Sequence, residues 1–210
     1  MSTTAAPSAE ALLVSTELSK YYVQNFIEPH LIARLLNENK VPYVLAGAHG
    51  TNVWLEEPRA TQDVDVIVAY RYDKRAVRLL LERFPTLVAE DHEAVTRLRD
   101  KETGKVLIDV MKGVQPHLRV AHKHSTTIQM HRVPVPVPSL EMALALKFAP
   151  MVSVTREDGK KLRDAGDFVL MINFNKDIDL RTLGELGDLV YPGGGKELVE
   201  KVGRFGRVSA

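Results

Sequence analysis

The sequence predicts an α+β fold: a mixed β-sheet flanked by helices, followed by a helical C-terminal part. Three observations carry this. Patterns alternate as α, β, α, β, α and a β-hairpin between residues 29 and 111, and only helical patterns follow residue 139. Pro134, Pro136 and Pro138 forbid helix between the two regions and mark a seam. The chain has 210 residues, 45% hydrophobic and 26% charged, so it can bury a sizeable core and is not wholly disordered.

The elements follow in order. Residues 1–20, opening on Ser, Thr, Ala and Pro, read as a flexible N-terminal tail. Ile27, Leu31, Ile32, Leu35 and Leu36 recur at helical spacing over residues 29–38, with Pro29 suited to the first turn. Residues 41–46 are a short apolar strand ended by Gly47, and 50–57 a short helix stopped by Pro58. Residues 64–70 alternate as a strand, with Val64, Val66 and Val68 on one face and Asp65 and Ile67 on the other. Asp73 caps a helix over 73–84 that turns Val77, Leu80, Leu81 and Phe84 inward. Residues 94–99 and 105–111 flank a loop ending in Gly104 and read as a hairpin. Residues 115–123 are ambiguous between helix and loop, and 126–137 are extended. Ser139 caps a helix over 140–149, and further helices are expected over 159–173, 179–190 and after the glycines at 193–195. The division is thus a tail over 1–20, a core over 21–138 and a helical part over 139–210.

Composition excludes several classes. There is no Cys, hence neither a disulfide nor a thiolate metal site. No apolar run approaches the ~20 residues of a membrane span, so no membrane partner is expected. The first basic residue is Lys20, which leaves no charged leader for secretion, and a cytoplasmic location is the expectation. The formal net charge of +1 names no partner.

The chemistry concentrates between residues 44 and 65. A strand ends at Gly47 and a helix begins at once, which offers backbone N–H groups to an anion, and Gly47 permits close approach. Asp63 and Asp65 are two apart at the start of a strand, so both carboxylates share a face, about 6–7 Å apart along it. Asp109 interrupts the apolar strand around Ile108 and Val110, where a charge is costly unless paired or metal-bound. Two carboxylates on one face suit a hard cation such as Mg²⁺, and the order Gly turn, Asp-x-Asp strand, third strand Asp is what a two-metal phosphoryl or nucleotidyl transfer site needs.

These residues resemble the nucleotidyltransferase superfamily, with its DNA polymerase β-like fold, and within it the abortive-infection toxin type and similar uncharacterised bacterial predicted nucleotidyltransferases. The matching stretches are Leu45-Ala-Gly47, Arg59-Ala-Thr61-Gln-Asp63-Val-Asp65, Ile108-Asp109-Val110, Leu144-Ala-Leu-Lys147, and Lys160-Lys-Leu-Arg163-Asp164-Ala-Gly-Asp167. They span roughly residues 41–173. The resemblance implies a nucleotidyltransferase-type sheet and transfer of a nucleoside monophosphate (NMP) from a nucleoside triphosphate (NTP) to an acceptor: tRNA, a protein or a small molecule. It implies Asp63, Asp65 and Asp109 as catalytic residues and ligands of Mg²⁺ or Mn²⁺. It further implies nucleotide contacts from Gly47, Ala48, His49, Thr51, Arg59, Thr61, Lys147 and Arg163, and for the toxin branch an antitoxin partner.

Ala48 departs from the family, which has Gly or Ser there. Alternatives stand beside several assignments. Arg59 either contacts phosphate or neutralises clustered carboxylates. Lys147 either contacts nucleotide or snorkels to solvent. His49 is either a ligand contact or a hydrogen-bonded structural residue. Arg163, Asp164 and Asp167 fit local charge pairs on a helix as well as a site. His122-Lys-His124 reads as a solvated loop. Residues 112–140 hold Lys112, Arg119, Lys123, Arg132 and four His but no acid, either a positive wall for phosphate or an exposed connection. At the level of the whole protein, the alternatives are a catalytically degenerate nucleotide-binding or interaction module of the same fold, and an antibiotic-modifying enzyme.

Overall fold

A computed structural model describes residues 6–206. A five-stranded mixed sheet lies at its centre. It is built from β1 (Tyr43–Leu45), β2 (Val64–Val68), β3 (Leu87–Asp91), β4 (Val95–Asp100) and β5 (Val106–Lys112), in the order β1-β2-β5-β4-β3. β2 and β5 run parallel and every other pair is antiparallel. The expected α+β architecture, a mixed sheet flanked by helices with a helical C-terminal part, is therefore the one observed. The hairpin read from residues 94–111 is β4–β5.

Alternation along the central strands sets the two faces of the sheet. Val64, Val66 and Val68 of β2 and Ile108 and Val110 of β5 are fully buried, on the side where α4 (Asp73–Arg83) packs against β5 and against α2 (Pro29–Glu38). The opposite face presents Asp65 beside Asp109 and Ile67 beside Met111, in register. A strand of period two makes this separation automatic: the valines need the core, and the acids fall on the less covered side.

Several expectations are corrected. Residues 9–20 are not a tail: α1 (Ala9–Tyr22) is a helix capped by Ser8, and residues 1–5 of that reading lie outside the described residues. Its buried face is Ala11, Leu12, Ser15, Thr16 and Ser19, so it lacks the apolar stripe that announces a helix. The short helix expected over 50–57 begins earlier, as α3 (Gly47–Asn52). β3 is an unforeseen edge strand. The extended stretch 126–137 is a two-stranded hairpin of β6 (Ser125–Met130) and β7 (Val133–Pro138), turned by His131 and Arg132, both at positive φ. The ambiguous segment contains a short helix, α5 (Pro116–Val120).

The helical part comprises α6 (Leu140–Val152), α7 (Asp158–Phe174), α8 (Leu180–Asp188) and α9 (Gly194–Phe205). α6 packs on α7, α8 and β7, and carries the buried Phe148 and Lys147. No helix among the described residues is long and apolar enough to cross a membrane.

Candidate functional site

Three carboxylates converge on the half-covered face of the sheet. β2 delivers Asp65, the loop entering it delivers Asp63, and β5 delivers Asp109 opposite Asp65. One oxygen from each lies within 4.8 Å of the others. Like charges at this range in a desolvated place resist ionisation together. Burial, then the charges of Asp63 and Asp109, push the Asp65 carboxyl well above the usual carboxylate range. Burial and Asp63 push Asp109 up to about 6, against the opposing charge of Arg97. Arg97 lies across the strand pair, its Nε 4.0 Å from Asp109 Oδ1. That oxygen is buried and accepts no hydrogen bond. Asp63 is held by the Thr61 hydroxyl, which donates to its Oδ1 at 3.1 Å. An all-oxygen donor set with an orphaned buried acceptor and mutual repulsion fits a hard divalent cation such as Mg²⁺ or Mn²⁺.

Gly47 closes the site from below. Its φ is +57°, and a Cβ added there would stand 1.7 Å from Asp65 Oδ2. Only glycine permits both the left-handed backbone and this approach. The Ala46 N–H donates to the Asp65 carbonyl at 2.8 Å, fixing the turn to the strand that carries the acid. Ala48 is in the first turn of α3 and nearly buried.

A second layer surrounds the acids. Arg59 makes a bidentate pair with Asp167 of α7, through Nε at 3.0 Å and Nη2 at 2.8 Å. Lys147 is buried and donates to the same Asp167 at 2.7 Å and to Asp164 at 3.1 Å. Arg156 completes the chain on Asp164 at 2.9 Å. Burial alone would raise the Asp167 carboxyl, but hydrogen bonds from Arg59 and the Lys147 charge hold it below the usual range. The sequence offered Arg59 as a neutraliser of acids. It does neutralise one, but the partner lies on α7 and not among the three strand-borne carboxylates. Lys147 does not snorkel to solvent. Arg163, one residue before Asp164, is exposed. Asp164 and Asp167 are the members of that motif that reach inward, and their spacing of three on a helix was the available signal.

α1 holds the loop that carries Arg59 and Thr61. The Ser15 hydroxyl donates to the Arg59 carbonyl at 2.9 Å and accepts from Asn52 Nδ2 at 2.6 Å. The Ser19 hydroxyl accepts from the Thr61 N–H at 3.0 Å. His49 is fully buried, its Nδ1 3.3 Å from Ser15 Oγ and its ring against Phe26. Burial and the nearby Arg59 bring its pKa down to about 3, so the ring stays neutral. It has no exposed surface for a nucleotide and is the structural histidine of the two readings. The Thr51 hydroxyl is likewise committed, donating to the Gly47 carbonyl at 2.7 Å.

The basic stretch after Asp109 does not form one wall. Lys112 is buried on Asp91 at 2.8 Å. Arg119 and His122 instead line a cavity of about 620 Å³ with Val44, Ile67, Tyr70 and Arg71. Ile67 follows Asp65 on the same face of β2, so this cavity opens about 6–7 Å further along the strand from the acids.

No family model matches the sequence, and no curated protein matches it. Solved structures do. An antigenic nucleotidyltransferase-like protein from Paracoccidioides brasiliensis is 21% identical over 92% of this chain and 94% of its own, with a TM-score of 0.49. The lincosamide antibiotic adenylyltransferase LnuA, with lincomycin bound, is 16% identical over 69% of this chain and 98% of its own, at 0.48. The antibiotic-resistance factor ANT(2'')-Ia is 14% identical over 82% of this chain and 85% of its own, at 0.47.

Proposed function

We propose that the chain is a metal-dependent nucleotidyltransferase. The observation that supports this most is the convergence of Asp63, Asp65 and Asp109, with one oxygen of each within 4.8 Å of the others, against a glycine turn that no other residue can replace. The resemblance of the motif order to bacterial nucleotidyltransferases supports the same reading.

In this reading Asp63, Asp65 and Asp109 hold Mg²⁺ or Mn²⁺, which would supply charge neutralisation at the triphosphate and acidify an acceptor hydroxyl. The acceptor oxygen attacks the α-phosphorus, the bond to the bridging oxygen of the β-phosphate breaks, and pyrophosphate leaves. Asp109, on the strand beside Asp65, takes the acceptor's proton. The turn from Gly47 into α3 offers backbone N–H groups to the phosphates, which leaves the missing hydroxyl of Ala48 without consequence. The cavity beyond Ile67 is of a size that takes a small molecule or a protein side chain, and it is where the acceptor enters. If the toxin-type likeness extends to biology, the acceptor is tRNA or protein and a small antitoxin is the partner.

One observation favours a second reading, a nucleotide-binding or interaction module without catalysis. Arg59 and Lys147, two cations assigned to the nucleotide, are both committed to Asp167. Incubation with each α-labelled NTP, Mn²⁺ and whole-cell RNA, protein or small-molecule extract separates the two. Label transferred to one pool supports the enzyme. Metal-dependent NTP binding without transfer to any pool overturns it in favour of the module.

A further inference from the structure

A different cluster lies where α2 begins. Glu28 is the N-cap of α2, Pro29 its first residue and His30 the next. The hairpin turn between β6 and β7 brings His131 against them, its ring 4.7 Å from that of His30 at 64°. One carboxylate oxygen of Glu28 and one ring nitrogen from each histidine lie within 4.8 Å of one another. His30 Nδ1 stands 3.3 Å from Glu28 Oε2, yet it is buried and has no hydrogen-bond partner. His131 and Arg132 both adopt left-handed backbone, φ +49° and +63°, without glycine. They are the two central residues of the turn that joins Met130 to Val133, and that turn holds His131 in place.

From this geometry we infer that Glu28, His30 and His131 form a binding site for a borderline divalent transition-metal ion, Zn²⁺ by preference. Two imidazoles and one carboxylate are a donor set that suits zinc, cobalt or nickel and does not suit Mg²⁺ or Ca²⁺. Three protein ligands leave a fourth position for water. Ligand atoms around tetrahedral zinc stand about 3.3 Å apart for bonds of about 2.0–2.2 Å, so the side chains close by up to about 1.5 Å on binding. The elements permit that closure. Pro29 fixes the backbone between Glu28 and His30, whereas His131 sits on an exposed turn. Lys20 occupies Glu28 in the free protein, 3.0 Å from Oε2, and it keeps Glu17 as a partner when the metal displaces it. The bound ion would pin the β6–β7 hairpin to α2, reinforcing the bond that Asn37 of α2 donates to the Pro134 carbonyl of β7 at 2.8 Å. This site shares no residue with the three-acid site.

The test is calorimetric titration of the full chain with ZnCl₂, paralleled by CoCl₂ followed in the visible range. Wild type should bind one Zn²⁺ at this site and show the d–d absorption of tetrahedral cobalt. Affinity should fall at least about tenfold in His131→Asn and in Glu28→Gln, the lower end of what loss of even an outer-shell partner costs. Asn suits the left-handed backbone at 131, so that variant folds. With excess MgCl₂ present to hold the three-acid site, Asp65→Asn should leave the Zn²⁺ affinity of this site unchanged. Equal Zn²⁺ affinity in wild type and His131→Asn overturns the site, as does loss of Zn²⁺ binding in Asp65→Asn with retention in both other variants.

Discussion

Replacing Asp109 with Asn should make the metal-free protein more stable at neutral pH, although it removes a residue of the proposed active site. The Asp109 carboxyl titrates near 6 in the folded chain, against an ordinary value of 3.8. Its charge is therefore disfavoured by folding. The folded state holds the proton that the unfolded state has released, so stability is fullest below about pH 4 and declines as pH rises to about 6. Above that the penalty is constant. A shift of this size corresponds to about 3 kcal/mol, since one unit is about 1.4 kcal/mol. The side chain is 20% exposed, and Arg97 loses its facing charge 4.0 Å away, worth about 0–1 kcal/mol at an exposed guanidinium. The net gain expected at pH 7.5 is about 2 kcal/mol, or roughly 4–8 °C in Tm for a chain of this size. Melting of wild type and Asp109→Asn without divalent metal, at pH 4 and at pH 7.5, measures it. The difference should nearly vanish at pH 4, where a protonated Asp109 resembles Asn. His49, whose depressed pKa lowers stability in acid, is common to both proteins and cancels. A variant less stable than wild type at pH 7.5 would refute the reasoning and make Asp109 a structural acid.

Other outcomes follow from the same site. An NTP with Mn²⁺ should raise Tm, since ligand at 100 times its Kd stabilises by about 2.7 kcal/mol; the rise should disappear when Asp63 and Asp65 are both replaced by Asn, and an equal rise in that variant contradicts the three-acid site. Asp167→Asn strips the shared partner from Arg59 and Lys147 and should cost about 3–5 kcal/mol in denaturant unfolding; an unchanged midpoint would show that the network adds nothing. Gly47→Val should abolish NTP binding, because its Cβ meets Asp65 Oδ2, whereas Ala48→Ser should leave it intact; a folded Gly47→Val that binds NTP as wild type does removes the turn from the site.

The acids were legible because a strand's period is two. Asp65 had to fall on the face opposite the valines of its strand, Asp63 two residues earlier in the entering loop had to lie close to it, and a charged residue between Ile108 and Val110 had to have a reason. The hairpin of β4 and β5 was legible from its β-rich flanks and Gly104. What was missed lacked a local signal. α1 buries Ser15 and Ser19, whose value lies in hydrogen bonds to residues 49, 52, 59 and 61, and Thr16, whose hydroxyl donates to the Leu12 carbonyl, so its own segment shows no apolar stripe. The β6–β7 turn uses His131 and Arg132 where glycine or asparagine would have announced it. β3 buries only Leu87 fully, as an edge strand does, and so shows no clean alternation. Asp167 was visible as a helix acid, but its bidentate partner Arg59 is 108 residues distant in sequence, and no periodicity reports such a pairing.

The most direct test of the central claim is the rate at which label passes from an α-labelled NTP to acceptor in the presence of Mn²⁺, in wild type and in Asp65→Asn. The account predicts transfer by wild type and a loss of at least about 10² in Asp65→Asn, a barrier higher by at least about 2.7 kcal/mol. Transfer at the same rate in both proteins would contradict it.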